Sequence, residues 1–122
     1  MTDLQQLRKG STNLLILSIL AQGPKHGYAI MRELEAQSDG YFTMTAALLY
    51  PALHQLEQDG LVEAAWESAP TAEAKRRRKV YQITSTGLDH LEESKLGWQQ
   101  FVERLFKTIG GSAATRGQTN EY

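Results

Sequence analysis

Between Tyr41 and Val62 the chain reads YFTMTAALLYPALHQLEQDGLV, and this stretch admits few folds. Leu49, Leu53 and Leu56 recur at i, i+4 and i+7, the spacing of one face of an α-helix. Thr45 stands where an N-cap hydroxyl accepts from a free amide. Gly60, after Asp59, supplies a residue free to take positive φ at the helix end. At about 100° per residue, Ala47, Pro51, His54 and Gln58 point away from the leucines, with Tyr50 and Gln55 flanking them. That outward face is small, polar and nearly uncharged, as suits a helix laid against another molecule. Pro51 conflicts with the pattern, because inside a helix it removes the bond to the Ala47 carbonyl at a cost of about 3 kcal/mol. Either the helix starts near Pro51 or its first turns bend.

Upstream, residues 4–21 contain LLILSILA, apolar on nearly every side, a pattern shared by buried helices and buried strands. The leading DLQQLRKG is weakly strand-forming, so a helix is expected. Gly10 interrupts it, and Ser11 or Thr12 offers a cap, which puts its proper start at Ser11. GPKHG is a break. Residues 27–38 form a second helix with Ile30, Met31 and Leu34 inward, ended by Asp39-Gly40. Two helices in this succession, the second with an exposed polar face, are the helix-turn-helix pattern.

Two strands follow, Val62 to Trp66 and Arg78 to Ile83, bridged by SAPTAEAK. Five consecutive basic residues, Lys75 to Lys79, sit on the second arm, where guanidinium groups reach phosphates or a minor groove. A helix-turn-helix followed by such a hairpin is a winged helix. Thr84 or Thr86 then caps a last helix over roughly 86–108. Leu88, Leu91, Trp98, Phe101, Val102 and Leu105 share one broad side of it. Gly97 weakens that helix by about 1 kcal/mol relative to Ala. The expected fold is therefore mainly α with a small β-hairpin. Residues 1–84 form a winged helix-turn-helix domain, 85–109 a C-terminal dimerisation helix, and 110–122 (GGSAATRGQTNEY) a disordered tail.

Composition removes several function classes. A chain of 122 residues implies one domain with a small core, and a terminal apolar stripe left uncovered is commonly completed by dimerisation. No run approaches the roughly 18 apolar residues of a membrane span, and MTDLQQLRKG lacks the pattern of a secretion signal. Without cysteines, disulfides and thiolate zinc sites are excluded, and a cytoplasmic location is expected. The three histidines, His26, His54 and His90, lie on separate elements without metal-ligand spacing, so neither metal nor cofactor is expected. No nucleophile, phosphate loop or paired carboxylate has supporting context, so the chain does not read as an enzyme. Net charge is −1, and nucleic-acid affinity must come from the local basic cluster.

RKGSTNLLILSILAQGPKHGYAI, LYPALHQLEQDGLV and RRRKVYQITSTG together resemble the PadR family of bacterial transcriptional regulators, over residues 8–106. The tyrosine-proline pair inside the third helix is the most specific of these features, and the resemblance implies a helix that spans Pro51. The short length and single C-terminal helix resemble the family's smaller branch, whose members are homodimers joined through their first and last helices. One departure is Ala47-Leu48, where members often carry Gly-Ser or Gly-Thr, so a hydroxyl for phosphate is absent there.

With the resemblance, the third helix is expected to lie on double-stranded operator DNA, with Tyr50, His54 and Gln55 at base edges or phosphates. Thr45 serves as cap, as DNA contact, or as both. Lys25, His26 and Tyr28 begin the second helix, whose amides meet phosphate, although Tyr28 also fits a core position. Arg76, Arg77, Arg78 and Lys79 belong to the wing, and alternation along the strand turns two or three of the run toward DNA. The dimer interface is expected at Leu91, Trp98, Phe101, Val102 and Leu105. Two copies of Trp98 across the two-fold axis would either clamp a planar aromatic effector or simply seal the interface. The function expected is a homodimeric repressor at an inverted repeat, released by a small aromatic or drug-like effector. A protein-interaction module and a small-molecule sensor are the alternatives.

Overall fold

The computed structural model describes residues 4–67 and 78–110. Lys75, Arg76 and Arg77 fall outside these residues, as does the expected tail beyond Gly110. The elements in order are α1 (Leu4–Leu20), β1 (Lys25–His26), α2 (Gly27–Gln37), α3 (Ala46–Gln58), β2 (Val62–Trp66), β3 (Lys79–Ile83) and α4 (Ser85–Ile109). This is a winged helix: three helices, a small antiparallel sheet ordered β1-β3-β2, and a long C-terminal helix. No described helix is long and apolar enough to cross a membrane.

The core is built from one stripe per helix. Ile16, Leu17 and Leu20 of α1 meet Ile30 and Leu34 of α2 and Leu49, Leu53 and Leu56 of α3, all buried. Val62 and Tyr81 close it from the sheet side. Gly10 does not interrupt α1, which runs from Leu4 straight through it. A single glycine costs only about 1 kcal/mol in a helix, and burial of the stripe downstream outweighs that.

The helix ends carry the local chemistry expected of them. α2 closes in a Schellman arrangement: the Gly40 amide donates to Glu35 O at 2.8 Å, while Asp39 takes left-handed φ of 53°. Ser38 stitches the following turn, donating through Oγ to Leu34 O (2.8 Å) and accepting from the Phe42 amide (2.9 Å). α3 ends the same way, with Leu61 N donating to Leu56 O at 3.0 Å and Gly60 at φ 77°. Pro51 lies inside α3, with helix continuing on both sides of it.

One further feature departs from expectation. Lys25 and His26 do not open α2 but form β1, pairing with Tyr81 and Val80 of β3. Of the two candidate caps for α4, Thr84 is the one used. Its Oγ1 accepts from the Gly87 amide (2.9 Å) and donates to Gly60 O (2.7 Å), tying the helix start to the end of α3. Gly87 is required there, because a Cβ would strike the Leu61 carbonyl oxygen and Ile83.

The chain divides into two compact units after Leu91. The first holds the winged helix and the opening turns of α4. Leu91, only 3% exposed, is part of its core. Its side chain is thus taken up in the core of its own chain, while Leu88, one turn earlier, is exposed. Among the described residues the second unit is the rest of α4. There Trp98 and Phe101 meet edge to face at 5.7 Å, and Phe101, Val102, Leu105 and Ile109 are exposed.

Candidate nucleic-acid interface

The leucine stripe turns α3 so that Ala47, Tyr50, Pro51, His54, Gln55 and Gln58 face outward. Thr45 caps it, accepting from the Leu48 amide at 3.3 Å. Gln55 donates to Asp59 Oδ1 at 3.1 Å, so its amide is oriented before any ligand arrives. The Tyr50 ring lies across the start of α2, so close to Gly27 that a Cβ there would run into it. Gly27 therefore sets how near α3 comes to the α2 N-terminus.

That N-terminus presents Tyr28 with 63% exposure, which settles its place at the surface rather than in the core. The Arg32 guanidinium lies over its ring at 5.8 Å, one helical turn on. At the base of the hairpin, β2 and β3 pair from Val62↔Ile83 to Trp66↔Lys79, and Glu67 N donates to Arg78 O at 2.8 Å to extend the ladder. Trp66 shares a strand face with Val62 and Ala64 by alternation, yet is more than half exposed. The Lys79 ammonium sits over its indole at 5.5 Å. Glu67 bridges a histidine and an arginine, with His26 Nε2 donating to Oε2 at 2.9 Å and Arg78 Nε 3.7 Å from Oε1.

These parts converge on one open pocket of about 670 Å³. The rings of Tyr28, Tyr50, Trp66 and Tyr81 line it together with His26, Gly27, Arg78 and Lys79. Burial pushes the Tyr81 hydroxyl above the usual phenol range, with Tyr50 and Glu57 adding to the shift. It is accordingly a neutral donor at neutral pH.

Of the residues expected at the interface, the fold brings His26, Tyr28, Tyr50, Arg78 and Lys79 to this pocket. Lys25 is one strand position away, opposite Tyr81. Thr45 at the α3 N-cap, and His54 and Gln55 on α3, lie outside the pocket lining. Arg76 and Arg77 belong to the segment outside the described residues. Trp66, Tyr81, Arg32 and Glu67 were not foreseen. Proximity of Trp66 and Glu67 to the basic run was the one signal for the first and last of these.

Comparison with known proteins agrees with this architecture. A family model described as the transcriptional regulator PadR-like family matches residues 16–93. The chain is 27% identical over 104 residues to the transcriptional regulator YqjI of Escherichia coli (strain K12), covering 85% of this chain and 47% of that one. It thus spans about half the length of that relative. A transcriptional regulator from Clostridium thermocellum superposes with a TM-score of 0.74 at 25% identity, over 83% of this chain and 95% of that one. A PadR family transcriptional regulator from Eggerthella lenta superposes with a TM-score of 0.71 at 30% identity, over 86% and 87% of the two chains. With the family model covering more than half of the sequence, and these structures sharing its winged helix and long last helix, the chain belongs to the PadR-like family of transcriptional regulators.

Proposed function

We propose that the chain is a homodimeric repressor that binds an inverted-repeat DNA operator through α3 and the wing, and is released by a planar aromatic effector. One observation carries the DNA reading. The uncharged outer face of α3 stands beside a pocket where Tyr28, Tyr50, His26, Arg78 and Lys79 meet. Phosphate-binding groups flanking a helix with few charges of its own are what groove recognition requires. A two-fold pair of such helices fits half-sites about one helical turn, or a multiple of it, apart. Selection of bound fragments from genomic DNA, followed by footprinting, tests this. A symmetric protected site supports it, and no salt-sensitive retention of any duplex would refute it.

Dimerisation is supported by the exposed apolar residues of α4. Phe101, Val102, Leu105 and Ile109 make a band of the kind that soluble monomers rarely leave uncovered. Leu105→Glu is expected to weaken self-association by on the order of 100-fold, since an unpaired charge in an apolar contact costs several kcal/mol. Sedimentation velocity checks this, and a wild-type monomer at micromolar concentration would remove the idea.

The effector reading rests on Trp98, whose indole is half-buried against Phe101. Planar aromatic compounds are expected to quench Trp98 fluorescence, leaving the Trp66 signal that Trp98→Ala isolates. Effector binding and DNA release that survive in Trp98→Ala would assign that role elsewhere. A second reading, protein docking, draws on the exposed Leu48 and the Tyr41–Phe42 edge-to-face pair ahead of α3. The same DNA retention experiment separates the two.

A further inference from the structure

We propose that Glu67 is a built-in counter-anion that occupies the phosphate-binding groups of the interface, the His26 ring N–H and the Arg78 guanidinium, when DNA is absent, lowering affinity for duplex of any sequence. The inference rests on the DNA reading above and concerns the regulation of that same surface. Glu67 is placed by the sheet, since its amide donates to Arg78 O at 2.8 Å just past the last strand pair. Its carboxylate reaches back across the chain. Oε2 accepts from His26 Nε2 at 2.9 Å, and Oε1 lies 3.7 Å from Arg78 Nε. A carboxylate only accepts, so the His26 hydrogen it takes is one a phosphate oxygen would take, and the Arg78 charge it sits beside is one a phosphate would pair with.

The two groups come from different segments, β1 and the residue just ahead of β3, yet one carboxylate serves both. Each of the three side chains keeps contact with solvent, so DNA has access to them. Such half-exposed pairs are weak, and a phosphate displaces the carboxylate readily. Until it does, Arg78 contributes little net positive charge to approaching DNA. A duplex then either displaces Glu67 or binds beside its negative charge, and both raise the cost of phosphate contact. The penalty is the same for every sequence. Only sites where α3 adds base contacts overcome it, so Glu67 sets the affinity threshold for retention and leaves the preference between sequences unchanged.

The test compares wild type, Glu67→Gln and Glu67→Asp as full-length protein, on the selected operator and on a random-sequence duplex across a salt titration. Glu67→Gln is expected to bind the random duplex ~3- to 10-fold more tightly at about 0.1 M salt. Its log–log salt slope should steepen by about 1, as one more cation becomes free to displace a counterion. Glu67→Asp should stay near wild type. Thermal unfolding of each variant checks that the hairpin persists, and the salt slope reports on charge where a merely structural role would leave it unmoved. Binding by Glu67→Gln that is weaker, or unchanged in both affinity and slope, overturns the proposal and makes Glu67 an orienting residue instead. If the wild type retains neither duplex at low salt, the DNA reading itself falls and this inference with it.

Discussion

Leu53→Ala is expected to destabilise the winged helix by about 2–5 kcal/mol, while His54→Ala, the next residue along, leaves stability within about 0.5 kcal/mol. Leu53 is fully buried between Leu49 and Leu56, in the stripe that seats α3 on α1 and α2. Truncation loses the transfer energy of the side chain and leaves a void that the close-packed helices fill only in part. Domains of this size are stable by only about 5–15 kcal/mol in total, so melting should fall by on the order of 10–30 °C. His54 is exposed and packs against nothing in the core. Its replacement should instead change which duplexes are bound, since it stands on the outer face of the same helix. Urea unfolding and a binding selection measure the two effects separately. A Leu53→Ala protein as stable as the wild type would mean that α3 is held by something other than its leucines.

The second large effect is on binding. Reversing both described cations of the wing base, Arg78→Glu with Lys79→Glu, is expected to weaken DNA binding on the order of 100-fold at about 0.1 M salt. The salt slope should become shallower by about 2. Arg78 is exposed just ahead of β3, the first described residue after Glu67, and Lys79 is held over the Trp66 indole, so both charges lie on the pocket. On the proposed DNA reading, reversal would remove two phosphate contacts, and the carboxylate at position 78 would stand beside Glu67, adding repulsion where there was attraction. The loss should be uniform across operator and random duplex, because phosphate contacts carry no sequence information. Fluorescence anisotropy across a salt series measures it. An unchanged slope would move the phosphate contacts away from the hairpin base.

Leucine spacing, the caps at Thr45 and Gly60, and the β-branched and aromatic density of KVYQIT each report on a window of a few residues. Such signals are readable because backbone periodicity and cap hydrogen bonds are local. They were enough to reach the order of helices and hairpin, the buried face of α3 and, with the resemblance, the family. Local reading failed where a distant segment decided the outcome. β1 is a strand only because β3 lies beside it; two residues, Lys25 and His26, carry no periodicity of their own. The choice of Thr84 over Thr86 depended on the Gly60 carbonyl, 24 residues away, accepting from its hydroxyl.

Leu91 matched the amphipathic pattern of its helix as well as Val102 did. It is buried nonetheless, because the opening turns of α4 pack into the first unit. The interface shows the same division. The sequence by itself determined which residue types the candidate interface has: a polar helix face, a basic strand, and aromatic residues near both. The tertiary structure alone decided that Tyr50 rests against Gly27, that Trp66 holds Lys79, and that Glu67 stands between His26 and Arg78. His26 and Glu67 are 41 residues apart, and no local propensity links them. Their meeting follows from the antiparallel register that sets β1 and β2 on either side of β3, a long-range pairing fixed by burial of the whole core.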